Sequence, residues 1–354
     1  MASPISTNSP ARQLSGRELR GGWIVGELLE RPAYSTGSCF SQGYVVKAAD
    51  GRRGYLKVLD YSAALVQADP ATVLNAMTEA FLFERQICDV CVKKAMSRIV
   101  RAIDSGTLFL DPQSPTSVVQ YLVFELAEGD VRKHLDTITA FDEAGALRAL
   151  HHACTGLFQL HTSGIAHQDL KPSNMLKFQD SEWKVGDLGR ASSLQHKAPH
   201  DPLPVAGDPV YAPPESLYHR QVDPDWSKRR FSCDAYLMGR MILFMFTHTS
   251  MTAQLMDHLD PSQHWSVWTG TYDEVLPYLR DSFGKSIKSN EPFLPPRFRP
   301  DLVEMVRQLC DPDPQLRGSP ELRGRIGNQY SLERFISRLD LLASKAEVSL
   351  RRSL

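Results

Sequence analysis

Chemistry is concentrated in His167-Gln168-Asp169-Leu170-Lys171-Pro172-Ser173-Asn174, with Asp187-Leu188-Gly189 following. The first stretch holds an acid, an amine and an amide within six residues, and a second acid lies eighteen residues after the first. A carboxylate can orient an attacking hydroxyl and take its proton. An ammonium can neutralise charge on a migrating phosphoryl group. An amide oxygen and a second carboxylate can hold a divalent cation.

These residues need elements to position them. Gly54-Tyr55-Leu56-Lys57-Val58-Leu59 is a short apolar run around one Lys, and Asp50-Gly51 before it signals a hairpin turn. From Asn75 to Val92, Met77, Phe81, Ile87 and Cys88 recur at helical spacing, and the same stretch offers Glu79 and Glu84. Val118 to Ala127 is a β-rich run that turns polar at Glu128-Gly129-Asp130. A helix over about Phe141–His161, with Leu147, Leu150, Cys154, Leu157 and Leu160 on one face, delivers the chain to Ile165-Ala166-His167. Tyr330–Val348 is amphipathic, with Ser331 as the expected N-cap and an apolar stripe of Leu332, Phe335, Ile336, Leu339, Leu342 and Ala343.

The pattern H-x-D-L-K-P-x-N followed by D-x-G resembles the catalytic loop and metal-binding turn of eukaryotic-like (Hanks-type) Ser/Thr protein kinases. The other motifs of that family follow in order. Pro213-Pro214-Glu215 takes the A-P-E place, Asp234 matches the buried Asp that opens the long central helix, and Asp313-Pro314-Gln315-Leu316-Arg317 matches the late D-P-x-x-R element. The resemblance covers roughly Gly22 to Gly327. It implies an α+β bilobal fold: a small β-rich lobe with one helix over about 22–126 and a larger α-helical lobe over about 127–327, with a cleft between them. Residues 1–21 are expected to be a disordered tail, and 328–354 an amphipathic helix and tail.

The resemblance also assigns roles. Asp169 and Lys171 are the catalytic pair, and Asn174 and Asp187 hold Mg2+ or Mn2+. Lys57 with Glu84 orders the triphosphate of ATP, with Glu79 as the other candidate partner. Glu125 to Ala127 offer backbone groups to the adenine after a gatekeeper at Phe124, and Gly37, Ser38 and Val45 line the nucleotide. Arg317 and Glu215 form a buried structural pair. His167 and Leu188 are expected in the interior. A protein substrate carrying Ser or Thr is implied.

Several positions depart from the family pattern. With Phe40 as the loop aromatic, Thr36, Ser38 and Ser41 stand where glycines are expected, and Gly37 and Gly43 fall out of register. Tyr55 occupies the place of a small Ala above the adenine, so its ring must point aside or narrow the pocket. Gln168 replaces an Arg that in the family often binds a phosphate on the activation loop, so activation by phosphorylation at Ser192 or Ser193 is not expected. Asp208 stands where a Thr is usual and could pair with Lys171 or repel Asp169. The stretch from about His248 to Pro296 reads as aromatic and irregular, and His264–Tyr272 within it is a candidate partner surface, as is the C-terminal helix. A pseudokinase used as a binding module and a small-molecule kinase are the alternative readings.

Composition narrows the classes further. The chain has 354 residues, is 42% hydrophobic and 23% charged, and has a net charge of −1. That argues against a basic nucleic-acid surface or a polybasic membrane anchor. No apolar run approaches the roughly 20 residues that span a bilayer. Met1–Glu18 shows no apolar core of a signal peptide. Six Cys are scattered, and Cys88-x-x-Cys91 has no second pair to complete a zinc site. Core thiols in a reducing, cytoplasmic compartment are expected.

Overall fold

Two patterns of apolar residues meet near Glu128, alternation before it and helical spacing after it. A computed structural model describes residues 9–30, 40–114, 117–138, 141–203, 205–220, 223–324 and 328–353. It divides into two units, Met1–Ala95 with Val100–Glu128, and Met96–Ile99 with Gly129–Leu354. The four residues Met96–Ile99 join the helical unit because their backbone is claimed there. The Arg98 N–H donates to Gln159 Oε1 at 2.9 Å and its C=O accepts from the Val185 N–H at 2.9 Å.

The first unit is an antiparallel sheet built from β1 (Glu18–Leu19), β2 (Trp23–Leu28), β3 (Ser41–Ala48), β4 (Arg53–Leu59), β5 (Ala102–Phe109) and β6 (Val118–Glu125), in the order β1-β2-β3-β4-β6-β5. The β3–β4 hairpin turns at Asp50-Gly51, where Gly51 has φ +88°, a conformation that glycine adopts without cost. Helices α1 (Ser62–Leu65) and α2 (Pro70–Lys93) connect β4 to β5. Asp69 caps α2 by accepting the Thr72 N–H at 3.2 Å. One face of the sheet carries the core residues Tyr44, Val46, Leu56, Val58, Tyr121 and Val123. Lys57 lies on the opposite face, because side chains alternate along a strand.

The expected disordered tail is corrected from Ser9 onward; residues 1–8 lie outside the described residues. Ala11 and Leu14 are buried in the sheet's core cluster together with Leu19 of β1. Tyr44 Oη donates to the Ala11 C=O at 2.9 Å, and Ser9 Oγ donates to Asp60 Oδ2 at 3.2 Å. Composition averaged over this stretch is polar. It conceals single apolar side chains spaced to cover the sheet.

The second unit holds β7 (Gly129–Asp130), α3 (Val131–Thr137), α4 (Glu143–His161), β8 (Ile165–Ala166), β9 (Met175–Lys177), β10 (Trp183–Val185), β11 (Ser192–Ser193), α5 (Pro214–Leu217), α6 (Trp226–Thr247), α7 (Met251–Asp257), α8 (Tyr272–Asn290), α9 (Arg299–Cys310) and α10 (Glu333–Ser353). Three sequence expectations are revised here. Asp234 lies inside α6, which begins at Trp226 because Asp225 accepts the N–H groups of Ser227 and Lys228. The stretch expected to be irregular contains α7 and α8, and α8 starts at a Thr271–Glu274 capping box. Helix α10 begins at Glu333, so Ser331 falls outside it and the first helical bond runs from the Ile336 N–H to the Leu332 C=O. The α10 residues Phe335, Leu339, Leu342 and Ala343 are buried, α10 packs along α4, and Arg148 bonds Asp340 and Glu347. The helix is therefore part of the helical unit and not a separate appendage.

Two predictions follow from this packing. Leu14→Ala removes a fully buried side chain and is expected to cost about 2–5 kcal/mol. That loss should appear as a melting temperature several degrees lower, and an unchanged melt would show that the segment does not cover the sheet. His152, on α4, accepts the Trp183 N–H through Nδ1 at 3.2 Å. Burial, then the nearby Arg98, His151 and Arg148, push its pKa down to about 3. The stability it contributes is present above the unfolded value of about 6.5 and is lost as pH falls towards about 3. His152→Gln should flatten the dependence of the melt on pH between roughly 6.5 and 4, and parallel curves for the two proteins would refute this.

Candidate active site

The loop that begins at His167 is organised by one buried carboxylate. Asp234 accepts the N–H of His167 at 2.7 Å, the N–H of Gln168 at 2.7 Å, the Gln168 amide at 3.0 Å and the His161 ring at 2.8 Å. Burial alone would raise its pKa. The His161 bond and the charges and N–H groups around it more than offset that and hold it below the usual carboxylate range. These bonds hold Gln168 at φ +66°, a left-handed conformation rare for a residue with a side chain. The turn sends the next residue, Asp169, in a new direction. His167 is fully buried; its Nδ1 accepts the Asp169 N–H at 3.2 Å and its Nε2 lies 3.0 Å from the Gly186 C=O. That leaves Nε2 as the protonated nitrogen and gives the ring a supporting role.

Asp169 is held on both oxygens. Oδ1 accepts the Asp208 N–H at 2.9 Å; Oδ2 lies 3.1 Å from Lys171 Nζ and 3.2 Å from Asn174 Nδ2. Lys171 Nζ also reaches Asp208 Oδ2 at 3.4 Å. Of the two outcomes open for Asp208, pairing with Lys171 is the one observed, and its backbone bonds Asp169. Burial disfavours the Lys171 charge, but Asp169 and then Asp208 reverse this and raise its pKa. The ammonium is therefore retained although the side chain is almost completely buried.

The β9–β10 hairpin brings the two expected metal ligands to one end. Met175 pairs with Val185, and the Gly186 N–H donates to the Asn174 C=O at 2.8 Å. Asn174 and Asp187 thus flank the end of the same ladder. The Asn174 amide nitrogen is spent on Asp169, which orients its oxygen elsewhere. Among the described residues there is no three-ligand cluster of His, Cys, Asp or Glu. An amide oxygen beside one carboxylate suits Mg2+, which takes few protein oxygens and keeps waters and phosphate ligands.

In the first unit, Lys57 Nζ contacts both oxygens of Glu84, at 2.8 and 3.0 Å. Glu84 lies on the buried face of α2, whereas Glu79 is on its exposed side and accepts from Asn75 at 2.9 Å. Val45 pairs with Tyr55 across β3–β4. The Tyr55 ring lies over Gly43; a Cβ there would come within 2.7 Å of the Tyr55 hydroxyl. The ring therefore points aside along β3, and Gly43 is needed as a bare Cα beneath it, not as part of a phosphate loop. The Glu125 N–H is taken by the Arg101 C=O at 3.1 Å. Ala127 follows the end of β6. Gly37 and Ser38 lie outside the described residues.

Far from these groups in sequence, Arg317 grips Glu215 through two nitrogens, each 2.6 Å from one carboxylate oxygen. Burial opposes the Arg317 charge, and Glu215 overcomes it, leaving the pKa raised.

The protein kinase domain matches residues 53–323 of this sequence. The chain belongs to the protein kinase family. Its sheet-based first unit and helical second unit are the two parts of the α+β kinase fold, and its relatives place it with the Hanks-type Ser/Thr kinases. It is similar to CBL-interacting protein kinase 22 of Oryza sativa subsp. japonica, 30% identical over 242 residues that cover 66% of this chain and 50% of that protein. It is similar to the hormonally up-regulated neu tumor-associated kinase of Mus musculus, 26% identical over 221 residues, 62% of this chain and 27% of the relative. Serine/threonine-protein kinase fused of Drosophila melanogaster is 28% identical over 152 residues, 43% of this chain and 18% of the relative. The matched part spans half or less of each of these relatives.

Sequence reading missed two buried arginines of this kinase's α6. Arg230 bonds Gln168, and Arg240 donates to the Leu170 C=O at 2.8 Å with Tyr211 stacked 4.0 Å from its guanidinium. The available signal was a pair of cations on helix positions flanked by Phe231, Ala235, Met238 and Met241, all buried. Arg317→Ala in this kinase would strand the Glu215 carboxylate. The expected loss is about 3–5 kcal/mol, with Arg317→Lys losing less. Equal melts for wild type and Arg317→Ala would remove this pair from the structural account.

Proposed function

We propose that this kinase domain transfers the γ-phosphoryl group of ATP to a Ser or Thr hydroxyl of a protein substrate. The observation that carries the reading is the arrangement around Asp169, whose carboxylate is fixed by the Asp208 N–H, Asn174 and Lys171. In this reading Asp169 orients the hydroxyl and accepts its proton as the oxygen bonds to the γ phosphorus. The bond from that phosphorus to the bridging oxygen breaks, and ADP leaves. Lys171 supplies positive charge for the transferring group, and Lys57, ordered by Glu84, does so for the α and β phosphates. Asn174 and Asp187 would hold Mg2+, which neutralises phosphate charge when bound. Gly37, Ser38, Val45, Glu125 and Ala127 complete the proposed nucleotide contacts.

A non-catalytic binding module is the second reading. It is favoured by Lys171, which Asp208 already shares with Asp169. A protein partner is proposed at His264–Tyr272, where Val267 is exposed while Trp265 and Trp268 pack on the cluster around Tyr218 and Leu279. A cytoplasmic location is proposed from the buried free thiols of Cys88, Cys91, Cys154 and Cys310. Among the described residues no helix is long and apolar enough to cross a membrane.

The reading is tested by incubating the protein with labelled ATP, Mg2+ and a mixture of acceptor proteins, then mapping the phosphorylated residues. Asp169→Asn should lower transfer by roughly 10²–10⁴-fold, the usual worth of a positioned acid–base group. Nucleotide binding without transfer in the wild type would establish the second reading in its place.

A further inference from the structure

The segment from Ala191 to Asp208 is tied down at three points in the helical unit. At its start, β11 pairs with β8, Ser192 opposite Ala166. At its end, the Asp208 N–H bonds Asp169, and Gly207 lies so close to the Gln168 carbonyl that no side chain fits between them. The middle tie is Asp201. Its Oδ1 accepts the Ser192 hydroxyl at 2.5 Å and Arg230 Nη2 at 2.8 Å, and its C=O accepts Nη2 at 3.0 Å. The other arm of the guanidinium, Nη1, donates to Gln168 Oε1 at 3.2 Å, and Gln168 Nε2 returns to the Arg230 C=O at 2.9 Å.

This arrangement is more than a surface ion pair. Arg230 is 5% exposed and Gln168 4% exposed, so the guanidinium is costly to bury without a carboxylate and hydrogen bonds. Gln168 is also the residue held at positive φ immediately before Asp169. A group that bonds both this side chain and the segment couples the segment's position to the direction of Asp169.

We propose that Arg230 is a positioning residue for Asp169. Its guanidinium is a strut between the Asp201 carboxylate of the segment and Gln168 of the catalytic loop. The segment thereby carries its own anion, and no added phosphate is needed to set it against Asp169. The catalytic part of this proposal rests on the phosphoryl-transfer reading, whereas the strut itself does not.

The test pairs amide hydrogen exchange with steady-state kinetics on the full chain, using Mg2+–ATP and histone or casein as acceptor. The variants are Arg230→Met, Arg230→Lys, Asp201→Asn and, as a control on the exposed side of the same helix, Lys228→Met. In Arg230→Met, amides of 191–208 should exchange at least tenfold faster while those of α4 and α9 keep their protection. The kcat should fall at least tenfold with the KM for ATP within twofold. Arg230→Lys should lie between Arg230→Met and wild type, and Lys228→Met should match wild type. Asp201→Asn, nearly isosteric and partly exposed, carries the same test if Arg230→Met does not fold. Unchanged exchange in Arg230→Met or Asp201→Asn overturns the strut. Faster exchange with unchanged kcat overturns the positioning role. Phosphatase-treated wild type should transfer at the untreated rate, and a tenfold fall overturns the claim that no phosphate is needed. Should wild type transfer nothing, the phosphoryl-transfer reading fails, and the exchange result alone decides the strut.

Discussion

The helical unit depends on the Asp234 carboxylate. A fully buried anion must be compensated where it sits, and here the compensation comes from two successive N–H groups and the Gln168 amide of the loop before Asp169, and from the His161 ring of α4. Satisfying Asp234 holds Gln168 in a left-handed turn that it would not adopt unaided. The turn sets the course of Asp169, and Asp169 in turn collects Lys171, Asn174 and the Asp208 N–H. A geometric requirement on one acid in α6 thus becomes the geometry of another acid at the proposed reaction centre.

Charge is compensated in the same way elsewhere in this unit. Arg317 is neutralised by Glu215 across about a hundred residues of sequence, and Arg230 by Asp201. Lys171 is placed between Asp169 and Asp208. Each buried ion is met by a partner delivered from another element. The elements that deliver them, α6, the segment after β11 and the loop after α9, are consequently constrained relative to one another. Arg240 extends this pattern with a different partner, since it bonds the Leu170 carbonyl and stacks on Tyr211. Burial lowers its pKa to about 10, so it stays charged at neutral pH.

The sheet unit obeys a packing constraint. Its one face is closed by residues from the N-terminal segment, which supplies Ala11 and Leu14 to the core. On the other face the Tyr55 ring lies across Gly43, and Lys57 reaches the buried Glu84 of α2. The departures from the family pattern are thereby explained in part. Gly43 is small because a neighbouring ring needs the space, and Tyr55 turns towards β3.

Much of this protein was legible in its sequence. Local periodicity placed the strand around Lys57, α2, α4 and α10, since amphipathic spacing follows directly from the geometry of each element. The ordered motifs carried the family, because an acid, a cation, an amide and a second acid stand in a fixed order and spacing from Asp169 to Asp187. Composition misread residues 9–21, because burial there depends on where three apolar side chains land and not on their average. Helix starts at Trp226 and Glu333 also escaped, since hydrogen-bond partners set them. Tertiary structure alone decided between Glu84 and Glu79, joined Asp208 to Lys171, and brought Asp201, Arg230 and Gln168 together. Those are contacts between side chains distant in sequence, and nothing in local spacing states which buried charge will meet which.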